Sequence, residues 1–104
     1  MKNFEELNSL VIQWAEERGI FDASNPERQL DKTREEVEEL GLALNHNDME
    51  QTIDGIGDVL VTIILLAKMK DLNPVECLEY AYEIINKRTG KMVNGLFVKD
   101  NPLS

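Results

Sequence analysis

Carboxylates are the residues of this chain whose spacing could do chemistry. The run Glu35-Glu36-Val37-Glu38-Glu39 lies within a largely apolar stripe, Leu30, Thr33, Val37, Leu40 and Leu44, that recurs at helical spacing. At about 100° per residue this stripe defines the inward direction, and the row Gln29, Lys32, Glu36, Glu39 and Ala43 runs beside it. Glu36 and Glu39 are therefore expected to flank the core at the edge of a cleft, with Glu38 turned to another side and Glu35 roughly opposite the core. Further on, Glu50, Asp54 and Asp58 fall at successive i, i+4 steps on one face of another helix. Asp58 opens the apolar stretch Val59-Leu60-Val61-Thr62-Ile63-Ile64, where a carboxylate is costly to desolvate unless paired, hydrogen-bonded or bound to metal. Gly55 and Gly57 each cost about 1 kcal/mol in a helix interior relative to alanine. They make sense where another helix or a ligand approaches closely. If the two helices face one another, Glu36 and Glu39 meet Asp54 and Asp58 in an all-oxygen site suited to Mg²⁺ or Mn²⁺. The competing reading is a solvated acidic face, since carboxylates are rarely buried. Spacing alone leaves both open.

The elements that must position these groups are four helices and a hairpin. Phe4, Leu7, Val11 and Trp14 form an amphipathic stripe ending near Gly19, followed by a loop from Asp22 to Asn25. Pro26 is a natural first residue for the second helix, which runs to about Asn45. Asn47 or Asp48 caps the third, with Glu50 completing a capping box. Its centre is apolar nearly all round, so it should be the most buried element. Asn73-Pro74-Val75-Glu76 opens a fourth helix that ends near Arg88-Thr89-Gly90. Lys91-Met92-Val93 and Leu96-Phe97-Val98 flank Asn94-Gly95, a strong hairpin signal. Short connections between helices imply an all-α, four-helix bundle with a short C-terminal β-hairpin, one domain over residues 1–104. Three short neighbours cannot cover the third helix on every side, so a homo-oligomer, dimer or tetramer, is expected.

Composition narrows the partners. A net charge of -9 over 104 residues disfavours nucleic acid and anionic membranes. It would disfavour a triphosphate too, unless the acidic groups hold divalent cations that reverse the local field. One cysteine and one histidine exclude an internal disulfide, a cysteine-based zinc site and a His-rich metal centre. The first residues show no apolar leader, and the longest apolar stretch is about half a membrane span. A soluble, cytoplasmic setting is the expectation.

At this point the sequence resembles a known family. Glu35-Glu36-Val37-Glu38-Glu39 looks like the EExxE motif of the all-α nucleoside triphosphate pyrophosphohydrolases, the MazG-like proteins. Asp54-Gly55-Ile56-Gly57-Asp58-Val59-Leu60 looks like their second metal motif, and Gln13-Trp14-Ala15-Glu16-Glu17-Arg18-Gly19 extends the similarity over nearly the whole chain. The C-terminal pattern, Arg88, Lys91 and a hairpin ending Phe97-Val98-Lys99, resembles compact phage-type and bacterial members. EExxE alone is weak; the two motifs at this spacing are fairly specific. One departure stands out. The second motif is usually ExxD, and the residue three before Asp58 is Gly55; Asp54, four before, is the candidate substitute.

The resemblance implies Mg²⁺-dependent hydrolysis between the α- and β-phosphates of a nucleoside triphosphate, giving monophosphate and pyrophosphate. Glu36, Glu39, Asp54 and Asp58 are then the candidate metal ligands, and Glu35, Glu36, Glu39 and Asp58 the catalytic set, with Glu35 the candidate proton acceptor. Candidate substrate contacts are Trp14, Gln29, Lys32, Lys87, Arg88 and Lys91. Each has a plainer reading. Lys87, Arg88 and Lys91 equally suit a helix C-terminus. Lys32 fits pairing with Glu36 slightly better than phosphate. Trp14 fits core packing better than stacking on a base, His46 fits a surface junction, and Cys77 a small buried apolar site. Two alternatives stay open: a binding or regulatory protein of the same fold, and a phosphoribosyl-nucleotide pyrophosphohydrolase.

Overall fold

The computed structural model describes residues 1–100, and it is mostly helical with one antiparallel hairpin at its C-terminal end. The chain divides into two compact units, Met1–Pro74 and the residues from Val75 onward. No helix among the described residues is long and apolar enough to cross a membrane.

The first unit contains α1 (Phe4–Glu17), α2 (Ile20–Ala23), α3 (Pro26–Asn45) and α4 (Met49–Met69). Local chemistry sets the starts. The Asn3 side chain caps α1 by accepting from Glu6 N–H, and Asn25 caps α3 by accepting from Arg28 N–H, both at 2.9 Å. Pro26 then supplies the first helical residue. At the α3–α4 junction the backbone of Asn47 turns left-handed, at φ 53°, and Asp48 is the residue that caps α4. The expected bounds of α3 and the Asp48 cap of α4 hold; the expected capping box of Asn47 with Glu50 does not form, because Asp48 is the cap and accepts from Gln51 N–H. The expected loop from Asp22 to Asn25 does not hold: Asp22 and Ala23 complete the short α2, whose Ile20 and Phe21 pack against the core.

The core of this unit is Ala15, Ile64 and Leu65, with Val11, Ile12, Ile20, Phe21 and Val61 packed around them. Helices α3 and α4 run antiparallel: Gln29 lies against Thr62, and Leu40 against Gly55. A Cβ on Gly55 would stand 3.1 Å from Leu40 Cδ1 and 3.4 Å from its Cα, so this glycine permits the close approach of the two helices. A Cβ on Gly57 would meet nothing, so close packing within the chain does not explain that residue.

One expectation about packing needs correction, that of the inward row of α3, while the expected uncovered side of α4 is present. The inward row of α3 is Gln29, Thr33, Glu36 and Ala43, which are buried, while Leu30, Val37 and Leu44 are exposed. The helix is turned toward the polar row because α4 offers Gln29 a backbone carbonyl, while Leu40 of the expected stripe still packs against Gly55. Helix α4 does hold more buried residues than any other, yet Ile53, Ile56, Leu60 and Ile63 remain exposed along one side.

The second unit carries α5 (Pro74–Ile85) and the strands β1 (Gly90–Val93) and β2 (Leu96–Lys99). Helix α5 ends before the expected Arg88-Thr89-Gly90. The strands pair Gly90 with Lys99 and Val93 with Leu96. Asn94 and Gly95 both take positive φ, 51° and 83°, the two-residue turn whose twist matches the strands. Cys77 is exposed on α5, not buried as its residue type suggested.

A candidate carboxylate and cleft site

Four carboxylates of the first unit influence one another, two from each of α3 and α4. Glu36 is 9% exposed, in the middle of the inward row of α3. Its ionic partner is Lys32, one turn earlier, with Nζ at 3.3 Å from Glu36 Oε1 and 3.4 Å from Glu35 Oε1. Those two carboxylates raise the Lys32 pKa, so the ammonium stays charged. The plainer reading of Lys32 as a pairing partner therefore holds.

Asp58, half-buried on α4, has its pKa raised, first by burial and then by the negative charges of Asp54 and Glu36. It also shares a hydrogen bond with Asp54, while Lys32 pulls the other way. Glu39 is raised chiefly by the charge of Glu36, with a hydrogen bond to the same group. Glu36, Glu39, Asp54 and Asp58 thus form one electrostatic cluster, opposed by the single ammonium of Lys32. Glu35, largely exposed, adds to it through its pairing with Lys32 and through its own charge, which also raises Glu39. Among the described residues no three acidic, histidine or cysteine side chains are gathered tightly enough to ligate one ion as they stand. Sharing an ion would require the exposed Glu39 and Asp54 to swing toward Glu36 and Asp58.

Beside the carboxylates lies a cleft of about 250 Å³ between α1, α3 and α4, lined by Trp14, Ile20, Gln29, Lys32, Glu36, Asp58, Val61, Thr62 and Leu65. Trp14 belongs to this wall. At 42% exposed it is not the core residue its place in the apolar stripe suggested, and the Arg18 guanidinium stands 4.7 Å over its ring. A larger cleft, about 510 Å³, is lined by Glu16, Asp22 and Lys68 among others and contains none of the four carboxylates. Chemistry favours the smaller one, where the coupled charges are.

The family model described as the MazG nucleotide pyrophosphohydrolase domain matches residues 24–93, from before α3 through the first strand. The chain belongs to the MazG family. A similar curated protein comes from Haemophilus phage HP1 (strain HP1c1), an uncharacterized 18.2 kDa protein in the rep-hol intergenic region. The two are 33% identical over 75 residues, covering 72% of this chain and 46% of the phage protein. This chain thus spans just under half the length of that relative. No solved structure matches it significantly.

Within the matched residues the structure brings Glu36, Glu39, Asp54, Asp58 and Lys32 into mutual influence and sets Gln29 on the adjoining cleft, which Trp14, ahead of the matched span, also lines. The cations Lys87 and Arg88 follow α5 and Lys91 lies on β1, all in the second unit. His46 is the exposed C-cap of α3, as expected. Thr62 is a cleft residue that sequence reasoning passed over; its only signal was a hydroxyl inside an apolar run.

A glutamate at position 55, as in the usual ExxD pattern, would crowd Leu40, whose Cδ1 would lie 3.1 Å from its Cβ. A side chain there points at Leu40 of α3, so Gly55→Glu should lower the melting temperature and give no gain in activity. Thermal unfolding followed by circular dichroism tests this, and an undiminished melting temperature would refute the close-approach account.

Proposed function

We propose that the chain is a Mg²⁺-dependent hydrolase of nucleoside triphosphates, ribo or deoxy, releasing monophosphate and pyrophosphate. The observation that carries this reading is the cluster itself: four coupled carboxylates, two of them withdrawn from solvent, against one ammonium. Such an imbalance is unfavourable in the protein alone and is relieved by hard divalent cations. Membership of the MazG family supports the same chemistry. Glu36, Glu39 and Asp58 would hold Mg²⁺, or Mn²⁺, with Asp54 completing the set. When bound, the metal would neutralise the triphosphate, polarise the α-phosphoryl group and acidify the attacking water.

The residues of the chain then divide the work. Glu36 and Asp58 are fixed by packing and set where the α-phosphate sits. Lys32 stays positive and holds Glu35 and Glu36 in place beside it. Glu35, exposed at the edge of the cluster, would take the proton of the attacking water. Trp14 and Gln29 line the space for the nucleoside. No covalent nucleophile is required.

Gly55 favours a second reading, a non-catalytic binding protein of the same fold, because the family's glutamate is missing there. Asp54 decides between them. It lies four residues before Asp58, about 40° around the helix at 100° per residue, and reaches the Asp58 carboxyl. The test is pyrophosphate release from a panel of ribo- and deoxynucleoside triphosphates, with and without Mg²⁺. Wild type should release it only with metal, and Asp54→Asn should stay folded and lose most turnover. Wild type inactive on every nucleotide would favour the binding reading; release from a phosphoribosyl-nucleotide alone would favour that related enzyme.

We take residues 1–104 as one functional domain, because the family match runs across the boundary between the two compact units. We also propose a homo-oligomer, a dimer or tetramer, in a cytoplasmic setting, with neither nucleic acid nor membrane as a partner. Met49, Ile53, Ile56, Leu60 and Ile63 recur at alternating steps of four and three along α4, an exposed seam of the kind helices bury against one another. Sedimentation equilibrium should give a species heavier than the 11.9 kDa chain. A stable monomer at micromolar concentration would rule this out.

A further inference from the structure

The lining of the cleft beside the carboxylates is of two chemical kinds: Glu36, Asp58 and Lys32 are charged, while Trp14, Ile20, Val61 and Leu65 are apolar. Two neutral polar side chains share this lining, Gln29 at 5% and Thr62 at 4% exposed. Gln29 Nε2 donates to the Thr62 carbonyl at 3.1 Å, and Thr62 Oγ1 donates to the Val59 carbonyl at 2.6 Å. Only the NH₂ side of a carboxamide can donate to a carbonyl, so the Gln29 amide is oriented by this bond. Its Oε1 is left as an acceptor, and so are the lone pairs of Thr62 Oγ1. Among the described residues nothing donates a hydrogen bond to either.

Gln29 lies seven residues before Glu36 on the same face of α3, about 10 Å along the axis at 1.5 Å per residue. That is the reach of one nucleoside from its α-phosphate to the far edge of its base. We propose that this cleft selects nucleotides whose base carries an exocyclic amino group, read by the paired acceptors Gln29 and Thr62. The inference rests on the pyrophosphohydrolase reading, which puts the α-phosphate at Glu36 and Asp58. An exocyclic amine, as on cytosine or adenine, brings two N–H donors on one nitrogen and can serve both acceptors. A carbonyl in its place sets lone pairs against lone pairs, and the ring N–H beside it serves one acceptor at most.

The experiment compares kcat/KM for pyrophosphate release, using the full chain and saturating Mg²⁺, within two matched pairs: dCTP against dUTP and dATP against dITP. Each pair exchanges one amino group for one carbonyl on the same ring frame. The amino member should be favoured roughly tenfold or more in wild type, since a site built around a hydrogen bond penalises the analogue lacking it. Gln29→Met keeps length without a good acceptor and should bring both ratios toward one. If that variant fails to fold, Thr62→Val reads the same loss at the second acceptor. Pyrophosphate release with wild-type ratios at or below one overturns the base preference alone, as do ratios unchanged in a folded Gln29→Met. Release from no nucleotide overturns the pyrophosphohydrolase reading and the base preference with it.

Discussion

Asp58→Asn should abolish most turnover while making the metal-free protein more stable. The turnover loss should be about 10²-fold or greater, because one metal-facing charge contributes several kcal/mol to the transition state. The stability gain follows from the native cluster. Burial and the charges of Asp54 and Glu36 raise the Asp58 carboxyl above its ordinary 3.8, and the charge of Glu36 raises Glu39 above 4.5. Between those ordinary values and the raised ones, the folded state binds more protons than the unfolded chain. Stability from these groups is therefore fully present at pH below about 4 and is lost as pH rises through the raised values. At neutral pH the cluster opposes folding, and the asparagine removes part of that opposition. Thermal melts in chelator should place the variant above wild type at pH 7, and the gap should narrow toward pH 4. Adding Mg²⁺ should raise the wild-type melting temperature by mass action and leave the variant nearly unmoved. Equal Mg²⁺ stabilisation of both proteins would remove Asp58 from the metal site. A variant less stable than wild type in chelator would remove the repulsion argument.

Ile64→Ala should carry the largest stability loss in the first unit. Ile64 is 5% exposed and sits with Ala15 and Leu65 at the centre of that unit's core. Truncating a buried isoleucine costs about 2–5 kcal/mol, against a typical total of about 5–15 kcal/mol. For a chain of this size that corresponds to roughly 10 °C or more in melting temperature. Trp14 is the only tryptophan in the sequence and lies in the same unit, so its fluorescence reports this transition. The contacts of Val11 and Val61 with this core also seat α1 against α4, and Asp58 stands one turn from Val61. Mg²⁺ affinity should therefore weaken together with stability. A melting temperature within two or three degrees of wild type would show that the centre of packing lies elsewhere.

Asp48 illustrates what the sequence could reveal locally. A side-chain acceptor before an apolar run marks a helix start whatever the tertiary environment, because the orphan N–H groups are three residues away. Asn25-Pro26 and Asn94-Gly95 work in the same way, through fixed φ and short-range hydrogen bonds, and each stands where it was expected. The four interacting carboxylates were legible too, since a 3.6-residue period and two recognisable motifs suffice to put them on two helices. Helix phase was less legible. Counting apolar residues on α3 selected Leu30, Val37 and Leu44 as the inward row, and these are exposed.

The sequence by itself determined the starts of α3 and α4 and the hairpin turn, because each depends on residues within a few positions of one another. Tertiary structure alone decided which way those residues face. Glu36 is buried because Gly55 lets α3 approach α4, and because Gln29 finds the Thr62 carbonyl across a separation of 33 residues. Trp14 became the wall of a cleft because α2, too short to show in a periodicity, brought Ile20 and Phe21 to the core beside it. An apolar residue records only that it prefers company. Which neighbour supplies that company, and which face is left for a ligand, depends on contacts between elements that the local pattern does not encode.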